Sequence, residues 1–142
     1  PEIVLCNAID DRHIDHPKGS SLVSDACFLS GLLKIETEIG GESQKNWRPK
    51  QVYHYIQWKN IEPDFVVDVS DFIDVKEKAV LAYSTQFYDP TSNEPETPIT
   101  SKNFTDSINY RAKDLGRLIG VEYAEGFTSE RYVAVENLSK LI

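Results

Sequence analysis

Seven consecutive residues, Asp10-Asp11-Arg12-His13-Ile14-Asp15-His16, hold two imidazoles, three carboxylates and a guanidinium. The one remaining histidine is His54, so no other segment concentrates titratable groups in this way. Imidazole titrates near neutrality, which suits it to proton transfer, and it is a common metal ligand. A catalytic zinc takes three protein ligands and keeps one position open for water, with imidazole and carboxylate the usual ligands where cysteine is absent. One of His13 and His16 could therefore bind a metal while the other acts on protons. A third ligand and a general base would have to come from elsewhere. The competing reading is a solvated acidic loop in which Asp15 caps a helix and both histidines face water, because a short His-x-x-His spacing is weakly diagnostic. His54, placed mid-strand among aromatic residues, reads as a packed or hydrogen-bonded structural histidine. Arg12, Arg111, Lys113 and Arg117 are candidates for contact with an anionic ligand, although Lys113 and Arg117 read better as solvated helix charges. Gln86 either faces the site or simply ends a helix.

The elements around this cluster explain its position. Ile3-Val4-Leu5-Cys6 is a continuous apolar run of strand length, of the kind found in parallel sheets covered on both faces. The acidic segment follows its C-terminal end, the edge at which open α/β sheets bind ligands. A helix is predicted from Asp15 to Pro17 onward, with Asp15 as its N-cap and Leu22, Val23, Ala26, Cys27, Leu29 and Leu33 at helical spacing. Gly40-Gly41 ends that pattern, and residues 41–50 read as polar loop. Strands are predicted at Val52–Trp58 and, after a turn at Glu62-Pro63-Asp64, at Phe65–Val69. Ser70 or Asp71 is placed to cap a helix carrying Ile73, Ala79, Val80, Leu81 and Tyr83. A long polar loop spans Tyr88 to Asn103, a length that suggests a functional or interface element. Thr105 to Ile119 reads as the last long helix, with Ile108, Leu115, Leu118 and Ile119 as its stripe and Gly120 as its stop. A short strand at Tyr132–Val135 and a terminal helical turn complete the prediction.

Composition narrows the function classes. The 142 residues suit one domain, and 40% hydrophobic with 27% charged residues describe a folded soluble chain rather than a disordered one. Fifteen basic against 23 acidic residues give a net charge of −8, which argues against nucleic acid or an anionic membrane as the main partner. No apolar run approaches the roughly 20 residues needed to cross a bilayer. Cys6 and Cys27 read as buried free thiols of a reducing cytosol, although one disulfide between them is an alternative. The chain contains no methionine and opens on an apolar strand, from which a fragment of a longer protein is expected.

Asp11-Arg12-His13-Ile14-Asp15-His16 resembles the second motif of the LmbE-like, or PIG-L, zinc-dependent deacetylases, which act on N-acetylglucosaminyl compounds. Further blocks resemble the same family: Tyr53-His54-Tyr55, Asp64–Ser70, Ser84–Phe87, Thr97–Thr100 and Gly120–Phe127. The resemblance covers essentially the whole chain and is greatest for the bacillithiol-pathway branch, whose substrate is N-acetylglucosaminyl malate. It implies a Rossmann-like α/β fold, with residues 1–142 as its C-terminal portion. It implies His16 as a zinc ligand, His13 as the catalytic imidazole that stabilises the oxyanion, and Asp15 as the residue that orients His13. Arg12 and Arg111 are then the substrate-binding candidates. The family's Ala-His-Pro-Asp-Asp signature, with the other two ligands and the general base, is absent, so the zinc site in this chain is expected to be incomplete and the isolated chain inactive. Ile14 stands where most relatives have proline, and Phe104 stands where some carry a tyrosine. The expectation is a cytoplasmic enzyme that takes a small amino-sugar substrate and forms a homo-oligomer, without nucleic-acid or membrane partners. The rival expectation is a non-catalytic α/β module for binding or oligomerisation.

Overall fold

The computed structural model describes residues 1–141. A parallel pair of strands with a helix between them organises the chain. β1 (Ile3–Cys6) leads through the acidic segment into α1 (Asp15–Leu29), and the chain returns as β4 (Gln51–Tyr55). β1 and β4 pair in parallel, with Ile3 opposite Gln51 and Cys6 opposite His54. Parallel neighbours need a crossover of this kind, and the crossover delivers residues 7–14 to the carboxyl edge of both strands. β6 (Ala124–Ser129) pairs antiparallel with β4, with Tyr53 opposite Ser129 and Tyr55 opposite Phe127. With β5 (Phe65–Asp68), the four strands take the order β1-β4-β6-β5, so the fold is α/β with a mixed sheet. No helix among the described residues is long and apolar enough to cross a membrane.

The chain divides into two compact units, Pro1–Phe65 with the segment from Gly126, and Val66–Glu125. In the first, Phe65 stacks on Phe127 with centroids 5.6 Å apart and meets Tyr53 edge-on at 4.8 Å. The Asp64 N–H donates to the Phe127 carbonyl, and the Ser129 N–H donates to the Asp64 carboxylate. Cys6, Ala8, Val52 and Phe127 are buried, and Ile3 and Leu5 are 56% and 57% exposed. The expectation that β1 is covered on both faces is therefore corrected: β1 is an edge strand, and only alternate side chains turn inward. Cys27 is half-buried rather than buried.

Several other boundaries differ from the sequence reading. Ile14, not Asp15, is the N-cap of α1; Asp15 is the first helical residue, where its charge complements the helix dipole. Leu33 lies beyond the helix and is 84% exposed. Residues 41–50 are not wholly loop, because β2 (Glu38–Ile39) and β3 (Glu42–Ser43) form a hairpin. Gly40 and Gly41 make its turn with φ of 60° and 85°, values glycine adopts without steric cost. β4 ends at Tyr55, three residues short of Trp58. No strand forms at Tyr132–Val135, where Tyr132 is fully exposed; the strand is β6, just before it.

In the second unit, neither Ser70 nor Asp71 caps α2 (Ile73–Leu81). Ser70 instead lies in a 3₁₀ turn, Ser70–Phe72, and its backbone N–H and hydroxyl both donate to Asp68. α3 (Lys102–Ile119) starts three residues earlier than expected because Ser101 caps it, accepting from the Phe104 N–H. Leu118 is 63% exposed, and the side of α3 that packs carries Ala112 and Gly116. Gly120 ends the helix at φ 77°, as anticipated. Phe104 stacks on Phe87 at 6.1 Å.

Gly116 generates a prediction. A Cβ there would sit 2.8 Å from both the Val121 and the Glu122 carbonyl oxygens, which are backbone and cannot swing aside. Gly116→Ala is expected to destabilise the protein by about 1–3 kcal/mol. A thermal melt that shifts by less than a degree would show that this close approach does not exist.

Candidate functional site

The acidic segment gathers around one buried carboxylate. Asp11 is 7% exposed overall, and its side chain has no exposed surface. Its Oδ2 accepts from His16 Nδ1 at 2.8 Å and from the Trp58 N–H at 3.2 Å, and its Oδ1 accepts from the Arg12 N–H at 2.5 Å. Burial pushes the Asp11 carboxyl up, but the hydrogen bonds from His16, Trp58 and Arg12 outweigh it and hold the group below the usual carboxylate range. Asp11 belongs to the segment singled out in the sequence, yet its own role was not legible there. Its partners lie five and 47 residues away, at distances no helical or strand period connects.

His16 is the fifth residue after Asp11 and the second of α1. Its Nδ1–H donates to Asp11, so the neutral ring keeps its lone pair on Nε2. Its side chain is 33% exposed. His13 is more open, at 56%. The Asp15 N–H donates to His13 Nδ1 at 3.3 Å, which places the proton of the neutral ring on Nε2. The Asp15 carboxylate lies 3.7 Å from the same nitrogen, an ion pair whenever the ring is doubly protonated. The two rings lie 5.5 Å apart, tilted by 36°. The structure thus brings His13, Asp15 and His16 together at the entry to α1.

Arg12 lies with its guanidinium 5.0 Å over the Trp58 ring. Lys59 pairs with Asp10 at 2.7 Å, so the segment after β4 is tied to the acidic segment at several points. Arg111 lies on α3, in the second unit, half-buried. His54 is the packed, hydrogen-bonded histidine expected, at 3% exposure.

Zinc can be tested against these donors. Asp11–His16 is the arrangement that fixes the tautomer and orientation of a metal-binding imidazole, a carboxylate on one ring nitrogen with the other left to bind. The pair fits one coordination position. Among the described residues, no three His, Cys, Asp or Glu side chains converge as a metal set.

No protein-family model matches the chain. Several solved structures resemble it, among them the following three. The conserved protein TT1542 from Thermus thermophilus is 29% identical with a TM-score of 0.78, over 99% of this chain and 56% of that one. GalB, the 4-carboxy-2-hydroxymuconate hydratase from Pseudomonas putida, is 22% identical with a TM-score of 0.67, over 97% and 55%. The N,N'-diacetylchitobiose deacetylase from Pyrococcus horikoshii, complexed with its inhibitor MPG, is 20% identical with a TM-score of 0.66, over 91% and 45%. The chain has the α/β fold of these structures and spans about half their length.

The geometry sets two expected outcomes. With donors for one coordination position only, calorimetry with zinc at neutral pH is expected to show no submicromolar site on this chain alone; a stoichiometric one on His13 and His16 would overturn the single-position assignment. The thiols should also differ. Burial first, then the charges of Glu130 and Cys27, push the Cys6 thiol from 9.0 up to about 11, and Cys6 is 4% exposed. An aromatic disulfide reagent at pH 8 is expected to titrate Cys27 in the native chain and Cys6 only after unfolding. Because the folded state holds the Cys6 proton more tightly, its stabilising effect is full below pH 9.0 and is lost as pH rises towards 11.

Proposed function

We propose that the chain carries one part of the active site of a zinc-dependent amidohydrolase of the LmbE/PIG-L type. The reaction is removal of the acetyl group from an N-acetylglucosaminyl compound, with N-acetylglucosaminyl malate the substrate favoured by the sequence resemblance. The observation that carries this reading is the buried Asp11 carboxylate on His16 Nδ1, which leaves Nε2 free to bind. The named chemistries of two similar structures, a deacetylase and a hydratase, both add water to a substrate, which supports a site that activates water.

In this proposal His16 Nε2 is one zinc ligand. The other ligands, and the carboxylate that takes the proton from water, come from a further part of the polypeptide. A bound zinc would supply a water acidic enough to ionise near neutrality. When doubly protonated, His13 donates from Nε2 toward the acetamide oxygen as negative charge develops there, then gives that proton to the departing amine and returns to the neutral ring. Asp15 orients that ring through its carboxylate, 3.7 Å from Nδ1, which pairs with the protonated form. Arg12, held on Trp58, meets an anionic part of the substrate. The enzyme works in the cytoplasm as a homo-oligomer on a small amino-sugar.

The test uses the zinc-loaded polypeptide that carries this segment, with zinc per subunit measured beside kcat. His16→Ala is expected to lose metal and activity together. His13→Ala keeps the metal and loses about 10²–10³ in kcat, the worth of one donor to a developing oxyanion. Asp15→Asn lies between wild type and His13→Ala. If His13→Ala strips the metal as completely as His16→Ala, the division of roles is wrong. A wild-type protein with neither zinc nor deacetylase activity would leave the non-catalytic module.

A further inference from the structure

His54 makes more contacts than a core histidine needs. It lies on β4, and its side chain is 4% exposed. The Nδ1–H is shared by two acceptors, the Asn7 carbonyl at 3.0 Å and the Ser20 hydroxyl oxygen at 2.9 Å, with the Cys6 sulfur 3.2 Å away. On the other side, Nε2 meets the Glu130 carboxylate at 3.1 Å. Serine, histidine and carboxylate in series have the composition of a hydrolytic triad. Ser20 is only 4% exposed, however, so its hydroxyl has no route to a substrate.

The positions of the partners suggest a different task. Asn7 directly follows β1, and Ser20 lies in the second turn of α1. Between them runs the segment that carries Asp11, His13, Asp15 and His16. One buried ring thus holds both ends of the site-bearing segment. Ser20 is four residues after His16, so the two lie on the same side of α1. Ser20 is also the one buried residue of that helix. Leu22 and Phe28 are 70% and 57% exposed and Val23 and Cys27 only half-buried, so apolar packing contributes little to seating the helix. α1 passes close over the end of β1, since a Cβ on Gly19 would sit 3.4 Å from the Asn7 side chain. A helix seated by so little apolar surface takes its position from directional polar ties.

We infer that His54 is a positioning residue: through Asn7 and Ser20 it clamps the two ends of the acidic segment and sets the orientation in which α1 presents His16 to Asp11. This builds on the proposed role of His16, but its test needs neither zinc nor activity.

The measurement is the ring-nitrogen NMR spectrum of His16 in the 142-residue chain at pH 8. A ring locked by Asp11 shows one protonated and one bare nitrogen, with well-separated shifts. Ser20→Ala and His54→Phe are expected to lose this separation, as His16 begins to sample both tautomers in a protein that is still folded. His54→Asn, which returns an N–H near the place of Nδ1, is expected to restore it. A lock present in wild type and unmoved by Ser20→Ala and His54→Phe would overturn the positioning role while leaving the reading of His16 intact. If His54→Asn fails as fully as His54→Phe, ring volume matters rather than the hydrogen bonds, and the inference falls. If His54→Phe does not fold, Ser20→Ala alone decides, since it removes a single oxygen. Averaged tautomers in wild type would instead strike at the Asp11–His16 pair on which the proposed function rests.

Discussion

A carboxylate stripped of water must find donors, because an unpaired buried charge is far too costly to keep. Asp11 is in that state, and its donors come from three parts of the chain: the first turn of α1, the segment leaving β4, and its own loop. Satisfying it draws the exits of two parallel strands and the entry of a helix to one point. The arrangement of His13, Asp15 and His16 is a consequence of that convergence. The surface ties nearby, Lys59 to Asp10 and Arg12 over Trp58, follow the same path but are exposed ion pairs or stacks, worth about 1 kcal/mol or less each.

The frame that permits this is economical in its use of apolar surface. Within the first unit, β1 and β4 run side by side, with Cys6 opposite His54, so the last residue of one strand faces a polar side chain of the other. The buried apolar side chains there, Cys6, Ala8 and Val52, are small or medium in size. α1 contributes a serine rather than a leucine to that space. A helix held by hydrogen bonds is located more sharply in direction than one held by a greasy stripe, because hydrogen bonds weaken steeply with angle and apolar contact does not. That property matters at a site where an imidazole nitrogen must face one way.

The sequence shows most of the frame and part of the site. β1, β5 and α2 lie close to where apolar runs and helical spacing put them, and α3 ends at the expected glycine. What it does not show has physical causes. β6 contains Ala124, Glu125 and Gly126, poor strand formers alone, and becomes a strand by pairing with β4. The Gly40-Gly41 hairpin has strands of two residues, too short for any period to register. Asp15 has the right type for an N-cap, but its N–H turns to His13 and the cap passes to Ile14. Within the site, the histidines announce themselves by type. Asp11 does not, since its importance lies in being buried, and burial is a property of the folded chain. His54 is legible as structural, but its hold on Asn7 and Ser20 is visible only once β1, α1 and β4 are brought together.

The frame and the chemistry are separable. A hydratase and a deacetylase share this fold with the chain at 22% and 20% identity, so the path of the backbone does not by itself choose a substrate. What such a backbone does choose is where a loop leaves two parallel strands, and hence where side chains of that loop can converge. In this chain the convergence is enforced by a buried charge at its centre and a buried ring at its base. On the proposed reading, specificity lies with the groups at the rim, Arg12 on Trp58 among them. On the proposed reading the inner groups set the geometry, and a change at Asp11 or Ser20 would be felt through His16 before it was felt by any substrate.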